Sequence, residues 1–162
     1  MKLDTEIEQA LNNQISKEFY ASHLYMQISY WFKSQNLNGF SCYMKKHSEE
    51  EKGHGLKICD YIDDMESMPI FDAIQTPARF SFANAVDAFT IIYAAEQDVT
   101  QSILSISQLS SDKNDKATRS FMDWYIDEQV QEESAAKDIL DKLNVIGNDY
   151  AALLILDHEL GG

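Results

Sequence analysis

The chain has 162 residues, of which 6 are glycine and 2 proline, and its 27 acids outnumber 13 bases for a formal charge of −14. That length suits one domain with a real core, and so few turn-formers cannot punctuate a many-stranded β protein or a Pro/Gly-rich disordered chain. Such an acid excess repels nucleic acid and anionic membrane surfaces and attracts cations.

Taken in chain order, helix-period apolar residues predict a first helix over about 5–34, with Thr5 and Glu8 as a capping box. Asn36 to Gly39 reads as a short turn, and a second helix follows over about 39–66. The stretch from Ser67 to Ser81 carries Pro69 and Pro77 and no helical period. Extended, it reaches about 50 Å, and a helix of about 28 residues is about 42 Å long. It can therefore run the length of a bundle and leave its flanking helices parallel. A third helix is predicted over about 82–110 and a fourth over about 115–143, joined by a short turn that makes them antiparallel. Residues 144–148 break the pattern, and an apolar piece over about 149–160 reads as a fifth, short helix. The fold class is thus all-α, a four-helix bundle with a long crossover and a short last helix. Apolar runs such as 151–156 are too short to span a membrane. No basic stretch followed by an apolar one opens the chain, so the expected location is cytoplasmic. Cys42 and Cys59 read as ordinary thiols.

The apolar seam of each long helix is interrupted by acid. Glu18 sits on the first seam, Glu51 on the second, Glu96 on the third, and Glu128 and Glu132 on the fourth. Glu18, Glu51, Glu96 and Glu132 fall at similar heights, within about 7.5 Å at 1.5 Å per residue. A buried carboxylate costs several kcal/mol unless paired or metal-bound, and bases are scarce on these seams. Metal is the better partner, and oxygen-rich sites with one imidazole suit iron or manganese, with zinc possible. Glu51 and His54 stand at i, i+3, on one helix face. His23 and His47 read as surface or core histidines rather than ligands.

At these residues the chain resembles a non-haem ferritin of the bacterial type, with ligands like those of eukaryotic heavy chains. The resemblance covers nearly the whole chain. It is carried by Lys17 to Tyr20 and on to Tyr25, by Glu49 to His54, by Ala95-Glu96-Gln97, and by Trp124 to Gln129. The tail from Asp149 to Leu160 resembles the short helix that lines the family's fourfold axis. On this resemblance, residues 1–162 form a single ferritin-like domain. Glu18, Glu51 and His54 would hold one iron of a ferroxidase centre. Glu51 would bridge to a second iron held with Glu96 and Glu132, with Gln129 as a hydrogen-bond partner or weak ligand. Tyr25 would touch the centre as an electron donor or pack as an ordinary core tyrosine, and Trp124 reads more readily as packing. Glu50, Glu128 and Glu132 would serve a third iron, although Gln131 stands where the family often has another glutamate.

The fourth helix has no second Glu-x-x-His, and position 52 is Lys where haem-binding relatives use methionine, so no haem is expected. The resemblance implies an enzyme, a ferroxidase that oxidises Fe(II) with dioxygen or hydrogen peroxide and stores ferric mineral in a 24-subunit homo-oligomer. Iron would enter at threefold pores near Asp123, where Ser120 replaces a second acid. The alternative is a storage-shell subunit with little ferroxidase activity of its own.

Overall fold

The computed structural model describes residues 2–162 and contains five helices: α1 (Thr5–Ser34), α2 (Asn38–Asp64), α3 (Ala85–Asp112), α4 (Lys116–Ile146) and α5 (Tyr150–Gly161). Four helices begin under a side-chain cap: Asp4, Asn84, Asp115 and Asp149 each accept a backbone N–H two or three residues on. The Thr5–Glu8 capping box does not form. Asp4 lies one residue earlier, and its carboxylate takes the amide of Glu6 at 2.9 Å. The third helix starts at Ala85 rather than 82 because Asn84 caps it. Ahead of that cap, the Asp87 carboxylate holds Arg79 and the Ala83 amide outside the helix. The fourth helix continues past 143 to Ile146, and Gly147 at φ +57° ends it. Asp115 accepts both the amide of Thr118 at 2.9 Å and its hydroxyl at 2.6 Å. Asp115→Ala is expected to cost about 1 kcal/mol, seen as a drop of about 2–4 °C in a thermal melt.

The short α1–α2 connection makes these helices antiparallel. The Ser48 hydroxyl donates to the Ser22 carbonyl and the Ser29 hydroxyl to the Ser41 carbonyl, each at 2.7 Å. Between α2 and α3 the chain runs back along α1. The Ile70 amide donates to the Asn12 side chain at 2.7 Å, Phe71 stacks on Phe19, and Phe82 meets Trp31 edge to face. From Asn12 to Trp31 is about 28 Å of helix. The crossover therefore starts α3 at the same end as α2, and Phe40 of α2 touches Phe89 of α3 with ring centroids 5.8 Å apart. No described helix is long and apolar enough to cross a membrane. Cys42 is exposed and Cys59 buried, both as free thiols.

The core is two apolar clusters. One gathers Tyr25, Ile28, Phe32, Phe40, Phe89 and Leu143. The other gathers Ile7, Leu11, Ile15, Ile58, Ile103 and Met122. Between them lies a belt of buried polar residues: Gln14, Glu18, Glu51, His54, Glu96 and Gln129. Apolar packing above and below fixes the helices, so the belt is pre-organised and closed to water from both ends.

Candidate metal centre

The belt holds three carboxylates with almost no solvent: Glu18 and Glu51 are 1% exposed and Glu96 is 3%. On α1, the Glu18 Oε1 accepts the Gln14 amide N–H at 2.8 Å, and the Gln14 oxygen accepts the Ser102 hydroxyl of α3 at 2.6 Å. That relay leaves Glu18 Oε2 without a hydrogen-bond partner, and Glu51 Oε1 on α2 is likewise bare. Buried polar atoms are rarely left so. His54, one turn after Glu51, places Nδ1 3.2 Å from Glu51 Oε2. Its own carbonyl accepts the Tyr125 hydroxyl at 2.7 Å, and Trp124 meets its ring edge-on. Glu18, Glu51 and His54 each offer a ligand atom within 4.8 Å of the others.

Glu96 of α3 is gripped from two sides. The Tyr25 hydroxyl donates to its Oε1, and Gln129 Nε2 lies 3.2 Å from its Oε2 and from its backbone oxygen. Glu132 of α4 is half-buried, 3.3 Å from His47 Nδ1. Tyr25, His47, Glu96 and Glu132 line one small cavity. A second group within ligand range of one another is His47, Glu50 and Glu132.

Electrostatics separates the acids. Burial pushes the Glu18 carboxyl well above the usual range, and the Glu51 charge pushes it further. Burial raises Glu51 in the same way, with Glu96 adding to it. Burial also raises Glu96, opposed by the hydrogen bonds from Tyr25 and Gln129. Burial works against the Glu132 charge too, but contact with His47 and the charges of His47 and His54 outweigh it and its pKa falls. Burial, with Glu96 next, drives the Tyr25 hydroxyl well above its ordinary range, so it stays a donor. Carboxylates crowded in a dry site with two bare oxygens accept a cation in place of protons. Oxygen donors with one imidazole fit iron or manganese.

Of the residues singled out in the sequence, Glu18, Glu51 and His54 converge directly. Glu96 and Glu132 face the shared cavity, and Gln129 and Tyr25 hold Glu96. Glu50 meets Glu132 through His47. Glu128 is half-buried on α4 and belongs to neither ligand group. Gln131, Asp123 and Ser120 are exposed. His47, read from the sequence as a surface or core histidine, is half-buried and lies against two glutamates. The available signal was its place on the α2 seam, four residues before Glu51 and three before Glu50. Gln14 was also missed, because a glutamine carries no motif. Gln14→Leu is expected to weaken Co(II) binding at Glu18 about 10-fold or more, the usual cost of losing a ligand's hydrogen-bond partner. An anaerobic Co(II) titration would check this.

Comparison with known proteins gives the family of the chain. A family model described as Ferritin-like domain matches residues 8–146. A bacterial non-heme ferritin of Staphylococcus epidermidis is 37% identical over 98% of this chain and 95% of its own. The corresponding protein of Staphylococcus saprophyticus is 38% identical over 98% and 94%. Among solved structures, an open pore ferritin of the hyperthermophilic archaeon Archaeoglobus fulgidus superposes with a TM-score of 0.97. It has 35% identity and covers 99% of this chain and 98% of that one.

Proposed function

The chain belongs to the ferritin family, and from that premise we propose that it stores iron and oxidises it at a two-iron centre within the helix bundle. Glu18, Glu51 and His54 hold one ferrous ion. Glu51 bridges to a second, held with Glu96 and Glu132, while Gln129 steadies Glu96. The observation that carries this reading is the pair of bare, buried oxygens, Glu18 Oε2 and Glu51 Oε1, in a belt where His54 is the sole base among the described buried residues against three carboxylates.

Iron is here the substrate. Ferrous ions displace the protons that burial favours on Glu18 and Glu51. The hard carboxylate oxygens stabilise the ferric state and so favour electron loss. Each of two adjacent ions gives one electron to dioxygen, and with two protons the product is hydrogen peroxide. With hydrogen peroxide as oxidant, the same two electrons and two protons yield water. Tyr25 donates a hydrogen bond to Glu96 and so steadies that ligand, and Trp124 lies edge-on to His54. Ferric iron then leaves for a mineral core. By kinship with the family, that core lies inside a 24-subunit shell with α5 at the fourfold axes and Asp123 near the entry pores. A third iron would lie toward Glu50, Glu128 and Glu132. The protein works in the cytoplasm and carries no haem.

Adding a pair of ferrous ions per subunit without oxygen, then admitting oxygen, tests the chemistry. Ferric absorbance is expected to rise far faster than in iron-containing buffer. A rate no faster than buffer would leave a storage subunit without oxidation. Sedimentation tests the shell, and a persistent monomer or dimer would overturn it.

A further inference from the structure

Of the lysines on the helix surfaces, Lys17, Lys46, Lys113, Lys137 and Lys142 each lie against a carboxylate. Lys57 of α2 stands instead over an aromatic ring, with Nζ 3.8 Å from the centroid of Trp124 on α4. A cation over the face of an indole is attracted by the ring's quadrupole. The indole is wedged into a corner of the metal centre. It meets the His54 imidazole at a centroid distance of 5.5 Å and 79°, and the Tyr125 ring at 4.8 Å and 89°. Tyr125 is itself locked, because its hydroxyl donates to the His54 carbonyl at 2.7 Å. Trp124 is 36% exposed and His54 only 8%, so the indole forms the outer wall of that imidazole between α2 and α4. His54 and Lys57 stand at i, i+3, on one face of α2. The exposed lysine therefore closes over the indole from the solvent side.

We propose that Lys57 is a positioning residue that pins Trp124 as a shutter over His54 and so retains the metal bound there. The proposal rests on the reading of His54 as a ligand of the first iron. With the indole in place, water reaches the imidazole-bound ion from this side only when the ring swings out. Swinging out breaks the contact with Lys57, so the cation–π attraction lowers the open population. The Lys57 charge also repels a cation that moves past the ring. Glu18 and Glu51 give the first position its affinity, while Lys57 and Trp124 set how fast it exchanges. Arginine would serve at position 57, because a guanidinium also stacks on an indole. Methionine would keep the apolar stem and lose the charge.

The test uses the full assembled protein, loaded anaerobically with a pair of Co(II) ions per subunit and then mixed with excess EDTA. The decay of Co(II) absorbance gives the release rates, and the ion that His54→Ala fails to bind marks the first position. Trp31, the other of the 2 tryptophans, is buried, so acrylamide quenching of the metal-free protein reports Trp124. Lys57→Met is expected to release the first ion about two- to fivefold faster, the weight of a partly exposed cation–π contact, and to quench more readily. The second ion is expected to leave at the wild-type rate. Lys57→Arg is expected to match wild type in release and in quenching. Unchanged release in Lys57→Met, equal acceleration of both ions, or a Lys57→Arg protein that behaves like Lys57→Met overturns the proposal. An empty first position in wild type overturns the two-iron reading itself, and this proposal with it.

Discussion

Glu51→Gln is expected to slow the first turnover of ferrous oxidation by about a hundredfold or more, at the upper end of what even a ligand's hydrogen-bond partner is worth. The same change is expected to make the metal-free protein more stable. The two effects have one cause. Glu51 is 1% exposed, its Oε1 has no partner, and it faces Glu18 and Glu96 across the belt. Glutamine keeps the volume, removes one of the crowded charges and supplies an N–H within the belt of bare oxygens. Relief of buried charge of this kind is worth about 1–4 kcal/mol, or several degrees in a thermal midpoint for a chain of this size. Stopped-flow absorbance and calorimetry on the metal-free protein would check both halves. A variant that lost activity and stability together would mean the carboxylate is structural.

The pH dependence of the metal-free protein follows from the same carboxylates. Burial raises Glu18, Glu51 and Glu96 above the ordinary carboxylate range, so the folded state binds more protons than the unfolded one. Stability from these groups is fully present below the unfolded pKa and is lost as pH rises through the folded values. Glu132 is shifted down and acts in the opposite sense, losing its contribution as pH falls. With three groups against one, the melting temperature of metal-free protein is expected to fall as pH rises above the ordinary carboxylate range. The fall should be shallower in Glu51→Gln. Metal replaces the protons, so loading should release acid into a weakly buffered solution and stabilise the protein more at neutral than at acid pH. A melting temperature that rose with pH in the metal-free protein would contradict the assignment of these groups.

Gly39→Ala is the second large effect expected, and it acts at the far end of the bundle. A Cβ on Gly39 would lie 1.6 Å from the Asp157 carbonyl oxygen. No side chain can be accommodated there without moving α5. The contact is also the cap of α2. Leu37 offers no side-chain bond at that N-terminus, and Asp157 Oδ1 instead accepts the Phe40 amide at 2.9 Å from across the fold. Displacing α5 breaks that bond and uncovers Leu156, which is 5% exposed. Together these are expected to cost about 2–4 kcal/mol, and limited proteolysis should cut between α4 and α5 in the variant. Asp157→Ala removes only the cap and should cost about 1 kcal/mol. If both variants melt alike, the close approach at Gly39 matters less than the cap.

Much of this architecture is legible in the chain because its causes are local. Acids interrupting the apolar seams of the first three helices mark the belt, and proline-bearing, aperiodic residues between the second and third helices mark the crossover. The three-residue spacing of Glu51 and His54 puts both on one face of any helix that contains them. Helix ends are less legible where several capping residues compete: Asp4 displaces Thr5, and Asn84 displaces the earlier start.

The sequence by itself determined the all-α fold, its topology and the buried acids, because periodicity, turn chemistry and the cost of an unpaired carboxylate all act within a helix or along it. Only the tertiary structure decided what those acids face. Gln14 bridges Ser102 to Glu18, Tyr25 grips Glu96, His47 lies between Glu50 and Glu132, and Asp157 caps a helix more than a hundred residues earlier. Each is a contact between helices, set by rotation about the helix axes and by packing above and below the belt. No spacing along the chain encodes those quantities.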